Sequence, residues 1–310
     1  MSGQLILADW GTSNLRFWVL DEAGQVRAQA ASPDGADGLP GDAYAPLLRA
    51  RLQALGISAE APLPVVVCGM AGARHGWREA GYVSLPAPPS ACLGQAVPIS
   101  ADGLDVRILP GLAQQDAPQP DVMRGEETQL LGFLAAEAGF SGIICLPGTH
   151  NKWVSVVEGQ ISRFQTAMTG EIFALLSRQS VLRHVIGGEE RFAPDDPAFA
   201  AALGAALAQP AQLPLLLFPI RAAGLLAGQT GATAAAQLSG LLIGTEVAAA
   251  LSGLPAGGEV VLLASGALAP LYAQAVARAG WDCRLLDAEP LTLAGLKTAA
   301  RHLFPAFFKG

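Results

Sequence analysis

Two short segments place a Gly-Thr pair ahead of an asparagine: Asp9-Trp10-Gly11-Thr12-Ser13-Asn14 and Pro147-Gly148-Thr149-His150-Asn151. Glycine lets the main chain come close to a ligand, and successive backbone N–H groups in such a turn form a concavity that accepts anions. The hydroxyls of Thr12, Ser13 and Thr149 and the ring of His150 add donors. Two turns of this kind facing each other would grip a polyphosphate from both sides. Asp9, just before the first turn, is suited to bind Mg²⁺ among those phosphates, directly or through water. His150 lies in the turn itself and is a better phosphate contact than Lys152, which strand alternation can equally point away. No GxxxxGK[ST] occurs, so the chain is not a P-loop protein.

A third glycine corner, Ser265-Gly266-Ala267, joins the apolar run 259–264 to an apolar helical stretch, 268–279. A strand entering a helix this way puts a ligand at the helix N-terminus. Alone the signal is weak; behind two phosphate turns it reads as the adenosine site.

Between the two Gly-Thr segments, Gly125 precedes Glu126 and Glu127 at the head of an apolar helix, roughly 126–138. Acids in a first helical turn complement the helix dipole, and on that preference alone the structural role leads by about two to one. Their place between the phosphate turns argues for a proton acceptor in phosphoryl transfer. Glu126 is the first choice for the base and Glu127 the reserve. Arg124 pairs either with a substrate carboxylate or with one of these glutamates.

On the acceptor side, Asn14, Arg16 and Trp18 share a strand face if Leu15 and Phe17 point to the core. That face looks either at a ligand or at solvent. The loop after strand 65–68 has glycines at 69, 72 and 76 flanking Met70, Arg74, His75 and Trp77. Its glycines give room to fold back, Arg74 can bind both oxygens of a carboxylate, and Trp77 is an apolar wall. The plainer alternative is a surface loop with a salt-bridged arginine. The substrate-binding candidates are Asn14, Arg16, Met70, Gly72, Arg74, Trp77 and Arg124.

The elements that must hold these residues repeat. Strand, Gly-Thr turn and strand are followed by a second turn, Gly24-Gln25-Val26 in the first copy and Gly159-Gln160-Ile161 in the second. Two matched features in the same order predict a duplicated strand–turn–strand unit, hence two α/β domains with a cleft between them. The expected domains are 1–115, with the first phosphate turn and the substrate loop, and 116–310, with the second turn and the adenosine corner. The Pro- and Gln-rich segment 114–120 is the expected crossover, and a last helix, about 291–303, can return to the first domain. The apolar stretch 213–226, broken by Pro214, Pro219 and Arg221, reads as a buried strand and turn within an irregular region, 210–231.

Composition sets the outer limits. A chain of 310 residues, 51% apolar and 15% charged, can bury two cores and is not disordered. Net charge is −7 without a basic block, which argues against nucleic acid. Cysteines 68, 92, 145 and 283 form no CxxC pair, against a zinc or disulfide framework and in keeping with a reducing cytoplasm. No charged n-region with a cleavage site precedes the first strand, and no membrane span is expected.

Asp9-Trp-Gly-Thr-Ser-Asn-Leu-Arg16, Cys68-Gly-Met-Ala-Gly-Ala-Arg74-His-Gly-Trp77, Asp121-Val-Met-Arg-Gly-Glu-Glu-Thr-Gln129 and Leu146-Pro-Gly-Thr-His-Asn-Lys-Trp153 resemble the 2-dehydro-3-deoxygalactonokinase family. The likeness continues in Ser239-Gly-Leu-Leu-Ile-Gly-Thr-Glu246 and Ala264-Ser-Gly-Ala267 and so spans nearly the whole chain. The resemblance implies a two-domain duplicated ribonuclease H-like fold, of the actin/hexokinase/Hsc70 type, with an interdomain cleft. It implies phosphorylation of 2-dehydro-3-deoxy-D-galactonate at its terminal hydroxyl by ATP with Mg²⁺. By the fold's pattern Asp9, Gly11 and Thr12 match the first phosphate motif, Gly148, Thr149 and His150 the second, and Ser265, Gly266 and Ala267 the adenosine motif. Many relatives on this fold use an aspartate as base, where this chain has Glu126-Glu127. The competing readings are a kinase of another sugar or sugar acid, a non-catalytic actin-like nucleotide-binding protein, and a phosphatase of the same fold. Self-association and the choice between galacto and gluco epimers stay open.

Overall fold

In the computed structural model, near-continuous apolar runs buried on both faces form strands β1 (Leu5–Trp10), β2 (Leu15–Leu20) and β4 (Leu63–Gly69) of the first sheet, β3 (Val26–Ser32) alternates, and helix α1 (Tyr44–Ala54) lies between β3 and β4. The structure describes residues 3–57, 62–115, 119–255 and 257–309. Next come β5 (Tyr82–Ser84), β6 (Val97–Ala101), β7 (Leu104–Ile108), β8 (Gly111–Gln114), β9 (Asp121–Met123) and helix α2 (Glu126–Ala136). The large sheet runs β3-β2-β1-β4-β7-β6. In it β1 is antiparallel to β2 and parallel to β4, and β4 is parallel to β7.

Both faces of this sheet are covered, because successive side chains point to opposite sides. Ile6, Ala8, Trp10, Phe17, Val65 and Val67 pack with Tyr44, Leu48 and Leu52 of α1. Leu5, Leu7, Trp18, Val66 and Cys68 pack with Leu131 of α2 and with Leu296, Ala299 and Ala300 of a C-terminal helix, Ala288–Leu303. Trp18 is therefore core, 2% exposed, and does not share an open face with Asn14 and Arg16. A small sheet, β5-β8-β9, lies beside the substrate loop. Residues 116–118 of the expected crossover lie outside the described residues; its flanks, Gln114 and Asp121, are partners in the antiparallel β8–β9 pair.

The second half repeats the plan with β10 (Gly142–Leu146), β11 (Asn151–Val157) and β12 (Gln160–Ala167). Helices α3 (Thr169–Arg178), α4 (Arg183–Ile186), α5 (Pro197–Ala208), α6 (Leu213–Leu226) and α7 (Gly231–Ala250) follow, then β13 (Glu259–Leu263), α8 (Leu268–Arg278), β14 (Asp282–Leu286) and the C-terminal helix, α9. Its sheet runs β12-β11-β10-β13-β14. Both sheets place the third, second, first and fourth strands of their half in that order and add one more parallel strand, β7 in the first and β14 in the second, the ribonuclease H-like order of the duplicated fold, with β6 pairing antiparallel on the outer edge of the first. The chain forms two compact units: Met1–Ser141 with Val156–Arg163 and Ala288–Gly310, and Gly142–Ser155 with Phe164–Asp287.

The stretch 213–226 is a helix, not a strand and turn. Pro214 sits in its first turn, where a missing N–H costs nothing, and Pro219 is accommodated inside. Only Ile220 of this helix is buried, and Leu215, Phe218, Leu225 and Leu226 are exposed. No single helix among the described residues is long and apolar enough to cross a membrane.

Candidate active site

In the first unit, three strand or helix ends bring the predicted residues together. Asp9 and Arg16 are register partners across the β1–β2 hairpin, and Asp9 and Cys68 across the parallel β1–β4 pair. Arg16 Nη2 lies 2.6 Å from Asp9 Oδ2, and Cys68 Sγ donates to Asp9 Oδ1 at 3.7 Å. The head of α2 comes close because two glycines take left-handed conformations: Gly69 (φ 86°) and Gly125 (φ 102°). A Cβ on Gly69 would lie 2.6 Å from the Trp10 carbonyl, and one on Gly125 3.5 Å from the Gly69 Cα.

The two glutamates differ sharply. Glu127 is 1% exposed, accepting from the Gly125 N–H at 2.5 Å and the Thr128 hydroxyl at 3.0 Å. Burial, and next the neighbouring charge of Glu126, push its carboxyl up to about 8. It is held protonated at neutral pH. Glu126 is partly exposed, and its Oε2 accepts the Arg124 N–H at 3.1 Å.

The Arg124 guanidinium is turned away from both glutamates. It donates to the carbonyls of Ala80 (2.5 Å) and Gly81 (3.2 Å) and stacks over the Tyr82 ring at 4.6 Å. Its Nε and Nη1 are buried without a hydrogen-bond partner among the described residues, and Nη1 occupies the space a Cβ on Gly72 would need. Trp77 packs with Trp10 and Tyr44, stacked on Tyr44 at 5.7 Å, so most of it is core. Met70 is partly buried. Arg74 projects outward, 79% exposed, with Glu79 at 3.7 Å.

The first Gly-Thr turn is closed by the Gly11 N–H donating to the Asn14 carbonyl at 2.9 Å. The following loop backs it: Ala36 and Asp37 N–H donate to the carbonyls of Gly11 and Thr12, and a side chain at Gly35 would strike Thr12 and Ser13. Thr12, Ser13 and Asn14 remain exposed.

The second unit holds the other predicted turn, built differently. Here the Gly148 N–H donates to the side-chain Oδ1 of Asn151 at 2.6 Å. Asn151 is buried and in turn donates to Glu246 Oε2 at 2.7 Å and to the Tyr272 hydroxyl. Glu246, on α7, also accepts from Trp153 Nε1 and Tyr272 Oη, each at 2.7 Å. Burial pushes its carboxyl up, against hydrogen bonds from Thr169, Tyr272, Trp153 and Asn151. Thr149 and His150 are exposed at the tip, where His150 Nε2 meets Glu171 Oε2 at 2.6 Å. Lys152 turns inward, 4% exposed, and donates to the His150 carbonyl.

Beside this turn is a cavity of about 560 Å³, within the range of small-molecule sites. Gly148, Thr169 and Gly170 line it with the polar Glu190, Arg191, Ser239 and Tyr272, and Ala267 brings in the head of α8. Phe173, Phe192, Leu242, Ile243 and Leu271 form its apolar walls. Of the adenosine candidates Ala267 lines it; Ser265 and Gly266 are exposed on the same corner, where the Ser265 hydroxyl donates to Asp287 at 2.6 Å. Sequence reading placed none of the walls from α3, α7 and the loop 190–194 at a ligand, although the Ser239–Glu246 run of α7 carries part of the family resemblance, and it assigned Glu246 no role. Its sequence signal was a lone acid in an otherwise uncharged 20-residue helix.

A family model described as 2-keto-3-deoxy-galactonokinase matches residues 9–299. The Rhizobium meliloti (strain 1021) protein named "Probable 2-dehydro-3-deoxygalactonokinase DgoK1" is 43% identical over 304 residues, 98% of this chain and 99% of that one. The Escherichia coli (strain K12) 2-dehydro-3-deoxygalactonokinase is 35% identical over 300 residues, 97% and 98% of the two chains. A crystal structure from Sinorhizobium meliloti, carrying the same activity name provisionally, superposes with a TM-score of 0.91 at 43% identity, covering 97% of this chain and 99% of that one.

Proposed function

This chain belongs to the 2-keto-3-deoxy-galactonokinase family, and on that premise we propose how its residues divide the transfer of the ATP γ-phosphoryl group to the terminal (6-) hydroxyl of 2-dehydro-3-deoxy-D-galactonate. The products are ADP and 2-dehydro-3-deoxy-6-phosphogalactonate. The observation that carries the assignment is the second-unit cavity, which brings Gly148, Thr169 and Gly170 together with apolar side chains of α3, α7 and α8. An adenosine moiety enters beside Ala267, Gly266 and Ser265, and the phosphates run to Gly148, Thr149 and His150. Among the described residues no atom lies within 4 Å of the place a Cβ on Gly148 would take, so a phosphate can approach its backbone.

In the first unit, Gly11, Thr12 and Ser13 serve as the other phosphate turn, and Asp9 faces the cation. The donor set fits a Mg²⁺ carried by the phosphates. No group of three or more His, Cys, Asp or Glu that could cage a metal occurs among the described residues, and Mg²⁺ commonly takes one or two carboxylates with its waters and phosphate oxygens. When bound it neutralises charge on the phosphoryl oxygens. Arg16 holds Asp9 by its Oδ2.

Glu126 is the base that takes the proton of the acceptor hydroxyl. It is partly exposed, whereas Glu127 is sealed, its carboxyl pushed up to about 8, and serves to fix the head of α2. Asn14, Arg16, Met70, Gly72, Arg74, Trp77 and Arg124 frame the acceptor. Arg74 is the carboxylate anchor among them, because its fork is exposed while Arg124 is committed to the Ala80 and Gly81 carbonyls.

The test is ADP release with the galacto and gluco epimers and a panel of other sugars and sugar acids. Turnover is expected with the galacto acceptor. Absence of ADP release with every acceptor would favour the non-catalytic reading instead.

A further inference from the structure

We infer that Glu246, buried one turn of α7 beyond the cavity-lining residues and itself not on the cavity, is the positioning residue of the nucleotide turn. It fixes the orientation of the Asn151 amide and thereby aims Gly148 at the phosphates. The inference rests on the assignment of Gly148 to the nucleotide made above.

The geometry leaves the Asn151 amide one arrangement. Its oxygen must face the Gly148 N–H, which it accepts at 2.6 Å, so its nitrogen must find an acceptor on the other side. Glu246 Oε2 is that acceptor at 2.7 Å, and the same oxygen accepts the Tyr272 hydroxyl at 2.7 Å. Glu246 Oε2 already accepts the Tyr272 hydroxyl, so an inverted amide would set its oxygen against an acceptor there and its NH₂ against the Gly148 N–H, which can only donate. Inside the unit, 1% and 7% exposed, neither Asn151 nor Glu246 can exchange a lost bond for one to bulk water. Tyr272 and Thr169, which both bond to Glu246, line the cavity themselves. One carboxylate thus ties the cavity wall to the phosphate turn.

The helix that carries Glu246 is held in place by its own small residues. A Cβ at Gly240 would lie 2.5 Å from the Phe199 carbonyl, and one at Gly244 2.8 Å from the Leu203 carbonyl. α7 therefore lies backbone-to-backbone against α5, with Ser239, Leu242 and Ile243 on the cavity and Glu246 one turn further along. This assigns a role to the Ser239–Glu246 segment.

The experiment compares Glu246→Gln, Asn151→Ala, the exchanged pair Asn151→Asp with Glu246→Gln, Trp153→Phe and Gly148→Ala. Steady-state KM for ATP and for the acceptor, direct ADP binding and thermal melts are read on each. Glu246→Gln leaves one acceptor oxygen where the carboxylate met donors on both sides, so its NH₂ is set against either the Asn151 amide or the Trp153 indole N–H, and Asn151→Ala frees the Gly148 N–H. Each is expected to raise KM for ATP at least tenfold and to weaken ADP binding in step, with KM for the acceptor within about twofold. The exchanged pair restores the chain of bonds with donor and acceptor reversed, and should recover KM for ATP to within about threefold of wild type. Trp153→Phe removes a donor to the other oxygen, Oε1, and should lower the melting temperature while leaving KM for ATP within about twofold.

If Glu246→Gln does not fold, Asn151→Ala alone decides. An unchanged KM for ATP in either variant overturns the inference, as does an exchanged pair no better than the worse single change. Gly148→Ala separates the two levels, since its methyl meets only ligand. If Gly148→Ala weakens ATP and Glu246→Gln does not, the positioning role is wrong and the nucleotide assignment stands. If neither changes ATP binding, the nucleotide assignment fails with it.

Discussion

Asp9 and Arg16 sit opposite each other across the first hairpin, joined by a 2.6 Å ion pair whose carboxylate is 15% exposed and whose guanidinium is 37% exposed. A pair this open contributes little to stability, on the order of 1 kcal/mol or less. Its value lies in orientation: Arg16 and Cys68 hold the two carboxylate oxygens at the edge of the phosphate turn. Asp9→Asn keeps the shape and removes the charge. It should leave the melting temperature within a few degrees and lower kcat roughly 100-fold or more, a loss of about 3 kcal/mol in transition-state stabilisation. It should also raise the Mg²⁺ concentration needed for half-maximal rate. A wild-type Mg²⁺ dependence in Asp9→Asn would show that Asp9 does not face the cation.

Glu126→Gln tests the base separately from the cation. General-base assistance is worth about 10²–10⁴ in rate. The substitution should lower kcat by that range with KM for ATP little changed, because the nucleotide assignment lies in the other unit. Full activity in Glu126→Gln would remove it from the mechanism, and a loss confined to Glu127→Gln would move the role to its neighbour.

How much of this was readable beforehand depends on the kind of signal. Both hairpins were legible because a Gly-Thr turn between apolar runs has few other uses, and the repeat of Gly24-Gln25 in Gly159-Gln160 fixed the register of the comparison. The first copy nevertheless closes on the main chain of Asn14 and the second on the side chain of Asn151, a difference that identical residues conceal. The run 213–226 was misread because a short apolar stretch with two prolines has no period, and length alone favoured neither element. Trp18 was misplaced because alternation names two faces but not which is covered; α9, 270 residues later, covers one of them. Glu246 was invisible in role because its partners, Asn151, Trp153 and Tyr272, come from distant parts of the chain.

Glu127 should make stability depend on pH in an unusual direction. Native Glu127 keeps its proton up to about pH 8, while the unfolded chain loses it near 4.5. Across that window the native state binds the extra proton, so stability falls as pH rises, by at most about 1.4 kcal/mol per pH unit. Glu127→Gln has no such proton. In urea melts from pH 5 to 8, the stability of the variant relative to wild type should rise steadily, and it should level off above about pH 8. A constant difference across the window would mean that Glu127 is ionised in the fold.

The head of α2 is placed by a glycine contact with α9, and this can be tested away from the chemistry. A Cβ at Gly295 would lie 2.0 Å from the Thr128 carbonyl, and one at Gly132 2.0 Å from the Leu291 carbonyl, so the two helix backbones touch. Alanine at either position must force them apart, and overpacking of this kind costs about 1–3 kcal/mol. Thr128 is adjacent to Glu127 and two residues from Glu126, so the displacement reaches the base. Gly295→Ala is expected to lower both the melting temperature and kcat, with KM for ATP unchanged. Gly139→Ala, with nothing within 4 Å of its Cβ, should change neither. Loss of stability in Gly295→Ala with full kcat would show that the α2–α9 contact supports the fold without positioning Glu126.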